Sequence, residues 1–332
     1  MKKLLCVLGG ILAVVLILVI VATAYMEKML NLMNRNPDDS TMSSSEYQEF
    51  IDNQTETVDP NFTGPTMDPE DVQWDVNTEE VTDDEHIINI MLIGQDRRPG
   101  QGRQRSDVML LCTVNTATKE LTMTSFLRDL YVQIPGYQDN RMNATYAFGG
   151  MKLLSKCMET NFGIHVDGNL EVDFDRFTGV IDLVGGVDMY LTNSEANYLI
   201  TRGVSAQSGM NHLDGKAALI YTRNRSVGNG DFSRTERQRK VVSAVLEKCK
   251  GMSVGQLKEL AEKMLPMITT DLTNKQILDY MGKLLPILGQ LKVTSQRVPA
   301  DGTYQYASIR GMSVLVPDLE ANREMLKKMT DK

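Results

Sequence analysis

The apolar positions of this chain fall into one long run near its start and a series of short runs after residue 86. Ile87 to Ile93 is apolar except for Asn89, Val108 to Val114 is apolar except for Thr113, and Leu121 to Leu127 alternates with Thr and Ser. Aliphatic runs of this length, bounded by turn residues, predict buried strands. Charged residues collect at their ends: Asp96, Arg105, Asp107, Arg128 and Asp129. In an open α/β sheet such ends form the ligand crevice.

Helical and alternating periods follow. A helix is expected over Met151 to Asn161, with Leu153, Leu154, Cys157 and Met158 as its apolar stripe. Leu170 to Phe174 alternates as a strand, Asp175 is placed to cap a helix running to Val184, and Val187 to Leu191 reads as the next strand. A short helix is expected near 214–221. Further helices are expected near 254–265, 274–285 and 318–329, with a strand at 292–298 and another after the Asp301-Gly302 turn. The order predicts an α/β class, an α-β-α sandwich about a central mixed sheet.

One helix carries chemistry. Ser233-Arg-Thr-Glu236 reads as a capping box. At ~100° per residue, Arg234, Gln238, Val241 and Val245 share an inward stripe. Arg237, Arg239 and Lys240 fall off that stripe and are expected in solvent. An inward arginine is costly unless paired, and here it lies near a helix N-terminus, which favours anions. Arg223 and Arg225 lie just upstream.

The ends and the charge distribution place the domain. Leu4 to Tyr25 is 22 residues without a charge. At ~1.5 Å per residue this crosses the ~30 Å hydrocarbon core of a bilayer. Lys2 and Lys3 put the N-terminus in the cytoplasm, so a single-pass anchor with the bulk outside the cell is expected. Ala22-Thr23-Ala24 resembles a signal-peptidase site, but the apolar run exceeds the ~7–15 residues of a signal core. Residues 36–85 hold sixteen Asp and Glu and no Lys or Arg, which suits a flexible acidic tether. Residues 1–35 carry +3, so the total of -8 leaves +5 for residues 86–332. The expected organisation is an anchor over 1–25, a tether over 26–85 and a basic folded domain over 86–332. A basic domain suits an anionic ligand. Cys112 reads as an inert buried thiol, whereas Cys157 and Cys249 could pair or stay free. His86, His165 and His212 are too scattered for a zinc site.

Asp96 and Asp107 at neighbouring strand ends suit a hard cation such as Mg²⁺ bridging phosphate oxygens. Arg105, Arg128, Arg223, Arg225 and Arg234 are candidates for bidentate contact with phosphate. Taken alone, such a mixture is more often a structural salt-bridge network. Two other motifs nearly match and fail. Gly209 to Lys216 has one residue too many for a P-loop, with Ala217 where Ser or Thr belongs. Ser253 in Gly251-Met-Ser-Val-Gly255 follows a helix instead of a strand, so it reads as a helix N-cap and not a nucleophile.

Several segments together resemble the LytR-CpsA-Psr family. They are Asn89 to Asp96, Arg105-Ser-Asp107, Ser125-Phe-Leu-Arg128-Asp129, Asn143 to Gly150, Val184 to Asp188, His212 to Gly215, Tyr221 to Arg225 and Asp231-Phe-Ser-Arg234-x-x-x-Gln238. Leu127 stands where the family usually has Pro, and Gln95 where Ser or Thr is common. The resemblance implies a membrane-anchored phosphotransferase of the Gram-positive envelope. Such an enzyme moves a glycopolymer (teichoic acid, capsule or another glycan) from an undecaprenyl-pyrophosphate carrier to peptidoglycan, through a phosphodiester. It matches Asp96 and Asp107 to Mg²⁺ ligands, and Arg105, Arg128, Arg223, Arg225, Arg234 and Gln238 to residues around the pyrophosphate. Arg128 and Asp129 become the catalytic candidates, Asp129 as base or orienting group. A deep apolar channel for the prenyl chain is also implied. The alternatives are a non-enzymatic protein that binds anionic polymer, and a polyprenyl pyrophosphatase. No nucleic acid is expected as partner, because almost nothing precedes the anchor.

Overall fold

The computed structural model of the protein describes residues 25–35, 39–52, 64–74, 84–95, 97 and 102–328. The apolar run of residues 4–25 lies outside them apart from Tyr25, and so does Asp96. Among the described residues no helix is long and apolar enough to cross a membrane.

Parts of the acidic segment pack on the domain, which corrects the expectation of a tether flexible throughout. Helix α1 (Ser44–Asp52) sets Tyr47 and Phe50 against Phe148, with ring centroids 5.1 and 5.0 Å apart. Trp74 stacks on Tyr131 and donates from Nε1 to Asp139 at 2.8 Å. A few aromatic side chains, spaced among acidic residues, bury enough apolar area to hold these pieces down.

The three expected strands form: β1 (Ile87–Gln95), β2 (Ser106–Asn115) and β3 (Glu120–Phe126), joined antiparallel. Their apolar runs are nearly continuous because both sheet faces are covered. Met91, Ile93, Met109 and Leu111 enter one core; Leu92, Val108, Leu110 and Cys112 pack into the other. A short ribbon, β4 (Tyr131–Val132) with β5 (Asn140–Arg141), leads into α2 (Met142–Phe162). Helix α2 starts nine residues before the expected Met151 and bends at Gly149 and Gly150, the latter with φ of +63°. Asp39 caps the second half by accepting from the Met151 N–H at 2.7 Å.

Strand β6 (Gly168–Asp173) pairs parallel with β1 and feeds α3 (Phe174–Leu183). The cap of α3 is Asp173, which accepts from the Arg176 N–H at 2.8 Å, and not the expected Asp175. Strand β7 (Val187–Leu191), α4 (Asn193–Ile200) and β8 (Gly209–Leu213) follow, with β7 and β8 forming an antiparallel ribbon. Short α5 (Gly215–Thr222) precedes long α6 (Gly230–Lys250). Gly215 is required by close approach: a Cβ there would sit 2.2 Å from the Thr178 carbonyl oxygen. The expected capping box at Ser233 does not form. Helix α6 starts at Asn229–Gly230, and Ser233 Oγ instead accepts from the Asn229 N–H at 2.7 Å. Helix α7 (Val254–Met264) is capped by Ser253 as expected. Then come β9 (Thr269–Thr270), α8 (Asn274–Leu284), β10 (Lys292–Val298), the hairpin β11 (Tyr304–Ile309) with β12 (Met312–Pro317), and α9 (Leu319–Lys327).

The central sheet has the order β10-β3-β2-β1-β6-β9. It is mixed: β6 and β10 run parallel to their neighbours β1 and β3, and β9 closes the far edge antiparallel. Helices α2 and α9 cover one face through Leu154, Met158, Leu319 and Leu326. Helix α6 covers the other through Val242 and Leu246. This is the expected sandwich. Cys157 and Cys249 are separate free thiols, and burial pushes the Cys157 thiol up to about 12.

Candidate functional site

The start of β2, the turn after β3, the end of α5 and the first turns of α6 converge. Asp107 opens β2. Arg128 and Asp129 follow β3 and are fixed by their own backbones: Asn143 N–H donates to the Arg128 carbonyl at 3.1 Å, and Leu315 N–H to that of Asp129 at 2.9 Å. Arg223 caps the end of α5, Arg225 lies two residues on, and Arg234 and Gln238 are one turn apart on α6.

These groups form one network. Arg128 donates from Nε to Asp231 at 3.0 Å and from Nη1 to Asp107 at 3.0 Å, with Asp129 at 3.5 Å. Arg225 Nε lies 3.0 Å from Asp231, and Arg234 donates from Nη2 to Asp231 at 3.3 Å while staying within 3.9 Å of Asp107. Asp129 also pairs with Arg141 at 3.5 Å. Asp231, in the first turn of α6, thus holds three guanidiniums side by side. It was not among the candidates, although its place three residues before Arg234 is an i,i+3 ion-pair spacing. Arg141, which precedes α2, was also not anticipated.

Burial sets the electrostatics. Arg234 is 4% exposed. Its guanidinium is drawn down to about 10, first by burial and then by the like charges of Arg225 and Arg128, against the pull of Asp231 and Asp107. Its Nε lies 3.2 Å from Asp231 Oδ1, an ion-pair contact whose angle does not make a hydrogen bond. Asp231 and Asp129 diverge. Burial works to raise Asp231, but Arg234, Arg128 and Arg225 together hold it below the usual carboxylate range. Asp129 is raised, first by burial and also by repulsion from Asp231, against the pull of Arg128, Arg141 and Arg234.

Beneath the network lies a cavity of about 540 Å³, within the usual ~300–1,000 Å³ range of small-molecule sites. Asp107, Arg223, Arg225, Arg234 and Gln238 line it together with apolar side chains including Leu92, Leu170, Val180, Met264 and Ile268. Its lining spans β2, β1 and β6 and reaches Ile268, the residue before β9. At ~4.8 Å between strands this is ~14 Å across the sheet. Of the expected inward stripe of α6, Arg234 and Gln238 line the cavity, with Val242 beside them, whereas Val241 and Val245 pack into a second core with Leu213 and Tyr221. Arg223 also lies over the Phe174 ring at 4.6 Å.

Other candidates fall elsewhere. Arg105 stacks on the Phe50 ring at 4.8 Å and is not among the residues lining the cavity. Arg237 and Arg239 are buried, not solvated as expected. Arg237 donates to Glu195 at 2.9 Å and to the carbonyls of Asn224 and Val227, so it ties α6 to α4 and to the loop that carries Arg225. Among the described residues no cluster of three or more His, Cys, Asp or Glu side chains is arranged for a metal. Arg128 and Arg234 both meet Asp107 at Oδ1, so its carboxylate could offer Oδ2 to a hard cation.

An apolar cavity roofed by clustered guanidiniums, one with an unsatisfied buried donor, fits an amphiphile with an anionic head. The chain belongs to the LytR_cpsA_psr family, whose model matches residues 40–331. It is 31% identical over 248 residues to the regulatory protein MsrR of Staphylococcus aureus (strain Mu50), covering 74% of each chain. It is 32% identical over 252 residues to the polyisoprenyl-teichoic acid–peptidoglycan teichoic acid transferase TagU of Bacillus mycoides, covering 72% of this chain and 80% of that one. Its fold is similar to TagT of Bacillus subtilis. TagT bound to LIIa-WTA superposes with a TM-score of 0.61 at 28% identity, over 74% of this chain and 89% of that one. TagT with bound octaprenyl pyrophosphate lipid gives 0.57 at 26%, over 74% and 90%.

Proposed function

We propose that this protein is a membrane-anchored phosphotransferase that moves a glycopolymer from an undecaprenyl-pyrophosphate carrier to peptidoglycan. Residues 1–25 anchor it with the N-terminus in the cytoplasm, and the catalytic domain lies outside the cell. The observation that carries this reading is the joining of a phosphate grip to an apolar cavity. Arg128, Arg225 and Arg234 meet over Asp231, and Arg225 and Arg234 join Arg223 at the wall of a space whose lining is otherwise mainly aliphatic and aromatic. The names of the TagU and TagT relatives support the substrate class.

In this reading Arg223, Arg225, Arg234 and Gln238 bind the pyrophosphate, and the prenyl chain fills the cavity below. A phosphate oxygen would give the Nε of Arg234 the hydrogen bond that its 3.2 Å contact with Asp231 does not make. Arg105 joins this group only by leaving the Phe50 ring. The acceptor hydroxyl attacks the phosphorus that bears the glycopolymer. The bond from that phosphorus to the bridging oxygen breaks, and undecaprenyl phosphate leaves with the electron pair. Asp129 takes the hydroxyl proton, because its raised pKa makes it a better base than Asp231. Arg128 stabilises the charge that develops on the leaving group. Mg²⁺ held by Asp107 with Asp96 would neutralise phosphate charge when bound.

The test uses the full-length protein in proteoliposomes with a lipid-linked glycan, peptidoglycan oligomers and Mg²⁺. Release of undecaprenyl phosphate together with a glycan–peptidoglycan phosphodiester is expected. Release without the joined product would make the protein a pyrophosphatase, and tight polymer binding with no bond broken would make it a binding protein.

A further inference from the structure

Residues 25–35 do not hang free beside the cavity. Residues 25–30 are helical, and Leu30 and Met33 are buried on the domain. Tyr25 hydrogen-bonds Glu262 of α7 through its hydroxyl, and Lys258 sits over its ring. Asn34 then adds to the sheet edge at β9. Its N–H donates to the Ile268 carbonyl at 3.0 Å, its carbonyl accepts from the Thr270 N–H at 2.9 Å, and it bridges Thr269 in parallel. Arg35 and Asn31 both reach Asn274, at the start of α8. Ile268, which this segment grips, and Met264, at the end of α7, line the cavity at the end farthest across the sheet from Asp107.

We propose that residues 25–35 are a docked strap that presents the sheet-edge end of the cavity to the bilayer surface, with α7 as the membrane-facing element. The proposal rests on the reading of residues 4–25 as a membrane anchor. Length decides the matter. From Tyr25 to Asn34 the chain has about five helical rises of ~1.5 Å and four steps through a turn of at most ~3.5 Å each, so the two ends lie no more than roughly 20 Å apart. A free segment over residues 26–85 could instead extend to roughly 200 Å. With the strap docked, the apolar end of the cavity stays within roughly 20 Å of the bilayer, so a prenyl chain has a short path from bilayer to protein. Leu32 and Val254 suit that surface: they are large apolar side chains left 46% and 84% exposed. Val254 lies one turn before Lys258 on α7, beside the point where Tyr25 docks.

The test compares two insertions of one eight-residue Gly-Ser linker in the full-length protein. One follows Ala24, upstream of the strap; the other follows Asp38, downstream. Both add the same ~28 Å of reach. A reporter is created by Val254→Trp in a Trp74→Phe background, and its quenching by brominated phosphatidylglycerol–phosphatidylcholine lipids is read in proteoliposomes. The upstream insertion is expected to reduce quenching at least twofold, and the downstream insertion to leave it unchanged. Asn34→Pro, which removes the N–H given to Ile268, should weaken quenching without any insertion. Equal loss from both insertions, no loss from either, or no quenching in the uninterrupted protein would overturn the strap. The readout needs no turnover, so asymmetric quenching in an inactive protein would refute the transferase reading and leave the strap standing.

Discussion

Asp231→Asn keeps the shape of the side chain that gathers the arginines and removes its charge. Arg234, 4% exposed, then keeps Asp107, 3.9 Å away, and the more distant Asp129 as counter-charges. Removing one partner of a buried ion pair costs ~3–5 kcal/mol. Arg128 and Arg225 are more exposed, so each of their pairs with Asp231 adds at most ~1 kcal/mol. Asp231 retains 17% side-chain exposure, which favours the low end, ~3 kcal/mol. In a domain of this size ~3 kcal/mol lowers Tm by ~6–12 °C. Differential scanning calorimetry at pH 7 reads this directly. The pH dependence has a definite sign. Burial alone would raise Asp231, but Arg234, Arg128 and Arg225 bring its folded pKa below the unfolded value. Its contribution is therefore complete above the unfolded value of ~3.9 and is lost as pH falls through the depressed folded pKa. The Tm gap to Asp231→Asn should stay flat through neutral pH and close below about pH 4. Adding Arg234→Met to Asp231→Asn should recover part of the loss, since it removes the stranded charge. A Tm change under ~1 °C, or a gap that widens on acidification, would refute the claim that Asp231 organises the cluster.

Asp129→Asn should lower kcat by ~10²–10⁴ with no loss of Tm at pH 7, because a carboxylate whose pKa is raised on folding costs stability when ionised. The wild-type rate should rise with pH through a limb above the ordinary carboxylate value of ~3.9, and that limb should vanish in the variant. Arg128→Lys keeps the charge but cannot reach Asp107 and Asp231 together, so kcat/KM should fall ~10–100-fold, measured by phosphate-ester release. Val180→Trp fills the cavity below the arginines; it should abolish retention of a polyprenyl pyrophosphate while short soluble pyrophosphates still bind, as read by isothermal titration calorimetry.

Periodicity made the core legible because both faces of β1 and β2 are covered, which turns each strand into a nearly continuous apolar run. The halves of the site were legible as residue types, and Arg234 with Gln238 could be oriented from the helical wheel alone. What was missed depends on contacts between distant residues. Arg237 lies off the predicted inward stripe, yet α6 is flanked by a second core, and its partner Glu195 is 42 residues away on a helix that the pattern did not show. The cap of α6 was misplaced because Ser233 and Glu236 match a capping box, whereas Glu236 is spent on an i,i+4 pair with Lys240 at 2.7 Å. The packed pieces of the acidic segment were hidden by averaging: Tyr47, Phe50 and Trp74 are few, and composition there is dominated by charge. Asp231 stood in plain view near Arg225 and Arg234, but its place in the sequence does not announce that it also touches Arg128, 103 residues away.

The central claim is that the arginine cluster and the apolar cavity form one site. A crystal structure of the protein with a polyprenyl pyrophosphate tests it most directly. The account predicts density for the pyrophosphate within hydrogen-bond reach of Arg223, Arg225 and Arg234, with a phosphate oxygen on Arg234 Nε and the prenyl chain running past Leu92 and Leu170 toward Ile268. Density for the pyrophosphate away from these arginines, or a prenyl chain lying outside the cavity, would contradict it.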